Sequence, residues 1–203
     1  MSAKVCILTT VHPSFDTRIF YKEAKTLARA GYEVALIAQH DKNEVVDRVK
    51  IIALPKPRNR FTRIFSLTWR AFRLALRERA NVYHFHDPEL LPIGVILKFF
   101  TSAKVIYDVH EDVPQQILTK YWVPARLRKP LAAFFNVFEK LLTRMLDAVI
   151  VATEGIAKKF REHNPVVIHN YPHLGMLPHS SALKGKNEKD KILGDNILQL
   201  LNL

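Results

Sequence analysis

Apolar residues along this chain gather in short continuous runs, and stretches with helical spacing lie between them. VCILTTV, YEVALIAQ, VKIIALP, NVYHFHD, AKVIYDVHE, DAVIVAT and PVVIHN are β-rich runs of about strand length. In DTRIFYKEAKTLARAG, Phe20, Ala24, Leu27 and Ala28 recur at helical spacing. Asp16 is placed as its N-cap, Phe15 and Phe20 as a hydrophobic staple around that cap, and Gly31 as its stop. Further helices are expected from about Arg60 to Arg79 and over ELLPIGVILKFF, PARLRKPLAAFFNVFEKLLTRML and EGIAKKFREH. Strands that are apolar throughout, rather than alternating with polar residues, are buried on both faces. With helices between them they predict an α/β fold: a single doubly wound, Rossmann-like domain with a mostly parallel sheet of about seven strands.

This domain is expected over 1–178. Small and charged residues then dominate to about Lys191, as in a linker, and Ile192, Leu193, Ile197, Leu198, Leu200 and Leu201 form a short amphipathic tail. The segment 179–203 is too short to be a domain. With 48% hydrophobic and 25% charged residues, the chain has globular rather than disordered composition. Its single cysteine, Cys6, lies in an apolar run and reads as a buried core residue, so a reducing compartment fits. No secretory leader is recognised, and LLPIGVILKFF is too short to span a bilayer, so a cytoplasmic location is expected.

Two short runs end in histidine beside acid: HFHDPE at 84–89 and YDVHED at 107–112. Such pairs serve as metal ligands, acid–base groups, a sugar-binding rim, or the polar ends of buried strands. In an open parallel sheet, ligands bind beyond the carboxyl ends of the strands. His86-Asp87 and His110-Glu111 fall there, as does the loop TVHPSFDTR after the first strand. That loop brings His12, Asp16 and Arg18 to the same rim. Arg18, in the first helical turn, has the donor fork that suits a phosphate or carboxylate, although a solvent-facing role is equally open. His84 lies two residues back into the sheet and reads as a buried, hydrogen-bonded histidine. No metal is expected, because no CxxC, HExxH or acidic ligand cluster accompanies the histidines. The first strand–helix turn contains no glycine, which excludes the dinucleotide fingerprint and the P-loop.

The formal charge of +12 directs attention to anionic partners. Between Lys56 and Arg79 there are eight basic residues and one acid, Glu78, interleaved with Phe61, Phe65, Trp69 and Phe72. A second cluster, Arg126, Arg128 and Lys129, follows Tyr121 and Trp122. Aromatic and basic residues together suit an anionic membrane surface. The chain contains no recognised nucleic-acid module, so a peripheral membrane contact is expected and nucleic acid is not.

HPSFDTRIFYKEAKTLARAGYEVALIA, HFHDPELLPIG, KVIYDVHED and VIHNYP, in this order, resemble the N-terminal half of family 4 glycosyltransferases with the GT-B fold. The nearest likeness is to bacterial surface-polysaccharide enzymes, and it covers about residues 3–178. It implies an acceptor-binding domain facing, across a cleft, a second domain that binds a nucleotide-sugar donor. Transfer would retain anomeric configuration without a metal or other cofactor, onto a lipid-linked or polysaccharide acceptor. His86 matches the histidine that reaches the transferred sugar and is the expected catalytic residue. His12, Asp16, Arg18, Asp87, His110 and Glu111 are the expected substrate-binding residues. Asn170 matches the asparagine before the crossing to the second domain. The paired-glutamate motif of that donor domain does not occur in the sequence, so the chain is expected to be inactive alone. The alternative is a non-catalytic, membrane-docked acceptor-binding or regulatory module, or one half of a split enzyme.

Overall fold

The structure is a computed structural model, and it describes residues 2–170. The expected linker and amphipathic tail at 179–203 lie outside the described residues. Eight strands form one sheet: β1 (Lys4–Pro13), β2 (Glu33–Gln39), β3 (Glu44–Val46), β4 (Val49–Leu54), β5 (Val82–Phe85), β6 (Lys104–Val109), β7 (Ala148–Val151) and β8 (Val166–Val167). Their order is β3-β4-β2-β1-β5-β6-β7-β8, parallel except for the β3–β4 pair. The apolar runs named above supply seven of these strands. The eighth, β3, is a three-residue antiparallel edge strand, too short and too polar to stand out as a run.

Helices cover both faces. α1 (17–29) follows β1, α2 (62–78) follows β4, and α3 (Leu91–Phe100) follows β5. α4 (Val113–Thr119) and α5 (Ala125–Thr143) follow β6, and α6 (154–163) follows β7. The pleat sorts the side chains between two cores. Cys6, Leu8, Tyr83, Phe85, Val105 and Tyr107 join residues of α2 and α3 on one face. Val5, Ile7, Leu36, Ile51 and Ile106 pack with Ile19, Phe20, Ala24 and Leu27 of α1 on the other. Gly94 is where α3 closes on the sheet: a Cβ there would stand 2.5 Å from Phe85 Cε1, and Phe85 is itself stacked on Tyr107.

The switch in strand order lies between β1 and β5. Strands β5 and β6 end beside the loop that leads from β1 into α1. This arrangement brings the sequence-predicted residues to one place.

Candidate functional site

The site begins with the entry into α1. Asp16 caps the helix, its Oδ1 accepting from the N–H groups of Arg18 (2.9 Å) and Ile19 (3.0 Å). Phe15 and Phe20 meet edge to face at 4.9 Å, as a staple around that cap. The turns over Thr17–Ala24 are of the wider π type. Hydrogen bonding from i to i+5 closes a larger turn, so residues five apart face one another. Arg18 and Glu23 are such a pair: Arg18 Nε donates to Glu23 Oε1 at 2.9 Å.

The rest of the Arg18 guanidinium reaches across to the sheet. Nη2 donates to both oxygens of Asp108 in β6, at 2.8 and 2.9 Å, and Nη1 donates to the carbonyl of Ile168 at 3.0 Å. Arg18, Glu23 and Asp108 are all buried. Sequence reasoning placed Arg18 at the rim, offered to a phosphate. In the fold its fork is spent inside, on two carboxylates and a carbonyl, because α1 lies across the ends of β5 and β6.

The histidines of β5 point the same way. His84 and His86 are two residues apart and share the face beneath α1, with rings 4.7 Å apart. His84 is buried, as its place inside the sheet led one to expect, with Nε2 3.6 Å from Asp108 Oδ2. His86 is buried too, its side chain 0% exposed. The expectation of an open rim histidine does not hold for it, since the backbone of β5 ends under α1 rather than beyond it. His86 Nδ1 lies 3.0 Å from His110 Nε2, and His86 Nε2 lies 3.2 Å from Glu23 Oε2, in contact but out of line for a hydrogen bond.

His110 and His12 are the histidines of this group that reach the surface, with side chains 19% and 33% exposed. Their rings are 6.0 Å apart. His12 Nδ1 stands 3.4 Å from Asp16 Oδ2, and its Nε2 3.8 Å from Asp87 Oδ1. Asp87 itself is buried and committed to the loop. Its Oδ2 accepts from Thr9 Oγ1 (2.9 Å) and from the N–H groups of Thr10 and Val11 (2.5 and 3.2 Å). Through these bonds it fixes the end of β1. Glu111 is exposed and accepts from the Gln116 side chain. Asn170 accepts from Lys22 Nζ at 2.7 Å.

Electrostatics follow from this packing. Burial opposes the charge of Asp108, but the Arg18 guanidinium and His110 outweigh it and hold the carboxyl well below the usual range. Burial likewise opposes Glu23, which the His86 ring and Arg18 nevertheless keep low. His86 is pushed down by burial, against the pull of Glu23. Burial also disfavours a charge on His110, yet the neighbouring Asp108 raises it. His12 is raised chiefly by Asp16.

His110 Nε2 stands 3.0 Å from His86 Nδ1 and 3.4 Å from Asp108 Oδ1, and the Asp108 carboxylate favours the protonated form of the His110 ring. One ligand atom each from Glu23, His86, Asp108 and His110 also falls within 4.8 Å of the others, a spacing that would admit a divalent cation. Arg18 donates to Glu23 Oε1 and to both oxygens of Asp108, while Glu23 Oε2 and His86 Nε2 have no hydrogen-bond partner among the described residues.

Sequence reasoning missed Glu23 and Asp108 as members of the site. Both left a signal. Glu23 stands between Phe20, Ala24 and Leu27 on the apolar stripe of its helix, where an acid requires a partner. Asp108 lies two residues before His110 inside a buried strand, on the same face.

Residues 17–170 match the sequence model of the glycosyl transferase 4-like domain. The chain belongs to this family. The sheet order and covering helices are those of one Rossmann-like half of a GT-B glycosyltransferase. One structure of sucrose-phosphate synthase from Thermosynechococcus elongatus is similar over 98% of this chain and 97% of that chain, with a TM-score of 0.62 and 15% identity. Another structure of that enzyme matches over 85% of this chain and 49% of that chain, with a TM-score of 0.63 and 15% identity. Anabaena HepE, in complex with UDP and glucose, matches over 85% and 46%, with a TM-score of 0.54 and 11% identity. The glycosyltransferase domain thus spans about half the length of the latter two chains. No match is found among curated protein sequences.

Proposed function

We propose that this glycosyltransferase domain is the acceptor-binding half of a retaining enzyme that uses a nucleotide-sugar donor, and that His110 and His12 form its acceptor-facing rim. The observation that supports this reading is the buried Arg18–Glu23–Asp108–His86 network, which ends at the surface in His110. A protonated imidazole held at the carboxyl ends of the strands is a donor for an acceptor hydroxyl or phosphate oxygen. In retaining transfer the leaving phosphate can take the acceptor proton on the same face, so His110 is asked to bind and orient rather than to act as base. His86 acts through His110: its Nδ1, 3.0 Å from His110 Nε2, orients that ring.

The matched halves of sucrose-phosphate synthase and HepE fit a further expectation, that transfer needs a second, donor-binding domain. The test is a transfer assay with a panel of sugar nucleotides, on the chain alone and with a donor domain supplied. The chain alone is expected to be silent. With the donor domain, His110→Asn should raise KM for acceptor more than it lowers kcat. Robust turnover by the isolated chain, or an unchanged acceptor KM, would overturn the reading.

A further inference from the structure

The basic and aromatic segments singled out in the sequence are not absorbed by the rim site. They meet on the other side of the sheet. The outer stripe of α5 is apolar along its length: Leu127, Leu131, Phe134 and Leu141 are exposed, and Phe134 is 65% exposed. A groove of about 460 Å³ runs along its start, between Trp122, Pro124, Leu127, Leu131 and Phe134. The first turns of α2 expose Phe61 and Phe65, at 76% and 70%. The two regions adjoin, because the Arg60 guanidinium stacks over the Trp122 ring at 4.0 Å.

Monomeric surfaces rarely leave apolar side chains of this size contiguous without a partner. The charges around them indicate which partner. Arg70, Arg73 and Arg77 project from α2 beside Trp69 around a second groove of about 380 Å³. None of the three has an ion-pair partner among the described residues, and neither do Arg126 and Lys129. Basic side chains flanking exposed Trp, Phe and Leu complement a bilayer interface with anionic headgroups: the rings enter the acyl boundary and the arginines stay at the phosphates. An apolar protein partner would leave those arginines without a counter-charge.

We infer that the Phe61–Phe65 turns of α2, the Trp122 loop and the outer face of α5 dock this domain on an anionic membrane. The inference does not depend on the transferase reading.

The test is flotation of the full chain with phosphatidylcholine vesicles containing 30% phosphatidylglycerol, beside vesicles of phosphatidylcholine alone. Binding is expected only to the anionic vesicles, with weakening as salt rises. Each of Arg70→Gln, Arg73→Gln and Arg77→Gln should lower partitioning about fivefold. Trp122→Ala with Phe134→Ala should lower it further, while circular dichroism confirms the fold. In the unaltered chain, tryptophan fluorescence should be quenched by brominated lipid, which keeps the test independent of any variant. Binding equal to neutral vesicles, or none to either, overturns the inference. So does a dimer in analytical ultracentrifugation that Phe134→Asp dissociates, since a second copy would then be the occupant.

Discussion

Replacing Arg18 by methionine distinguishes a buried structural cation from a ligand-binding one. Arg18 makes four hydrogen bonds, three of them to Glu23 and Asp108, and all of these groups are buried. Methionine keeps much of the volume and removes the charge, so two buried carboxylates lose the guanidinium that lies between them. Breaking a buried pair by removing one partner costs about 3–5 kcal/mol. For a chain of 203 residues, each kcal/mol lowers Tm by about 2–4 °C, so the loss should be about 6–20 °C. The measurement is urea denaturation at pH 7.5, with a thermal melt beside it. Raising salt from 0.1 to 1 M shortens the screening length from about 10 to about 3 Å but should leave the loss unchanged, because ions do not enter the cluster. Adding Glu23→Gln to Arg18→Met removes one stranded charge, so the double variant should lose at least about 0.5 kcal/mol less than the sum of the singles. If Arg18→Met costs under about 1 kcal/mol and instead abolishes phosphate binding, the guanidinium faces the ligand and the buried-network account is wrong.

Other outcomes follow from the same geometry. His86→Ala removes a buried ring and unpairs His110 Nε2, so it should cost about 1–3 kcal/mol, more than an open rim residue would; urea midpoints measure it. The His110 ring should titrate above 6.5 in NMR, and Asp108→Asn should bring its midpoint down. A raised histidine stabilises the fold fully below the unfolded pKa and loses that contribution as pH rises through the folded one. The stability gap between the parent and His110→Asn should therefore shrink as pH rises above the ordinary histidine value of about 6.5. Gly94→Ala drives a methyl into Phe85 and should cost about 1–3 kcal/mol by thermal melt.

Most of the fold was legible in the chain because seven strands are continuous apolar runs and the α1 cap and staple are written in FDTRIF. The edge strand β3 was not, since EVV has no apolar period to reveal it. For the site, the sequence indicated the neighbourhood but not the depth. Position at a strand end says that a residue is near the rim. It does not say that α1 crosses above it, and that crossing puts His86 and Arg18 in the interior while His110 and His12 stay at the surface. The π-type turns decide which α1 residues face the sheet, and no pattern of spacing announces them. Asp87 illustrates the same limit: its pairing with Thr9, Thr10 and Val11 joins residues more than 70 positions apart.

The central claim, that the rim of this half receives the acceptor, is tested most directly by following the ring signals of His110 and His12 in the full chain. UDP-glucose and GDP-mannose are titrated in one series, free oligosaccharides and polyprenyl-phosphate sugars in another. The account predicts that an acceptor-type ligand shifts both histidines, with an affinity that falls in His110→Asn, while the sugar nucleotides leave them in place. Shifts produced by the sugar nucleotides alone, or a rim indifferent to every acceptor-type ligand, would contradict it.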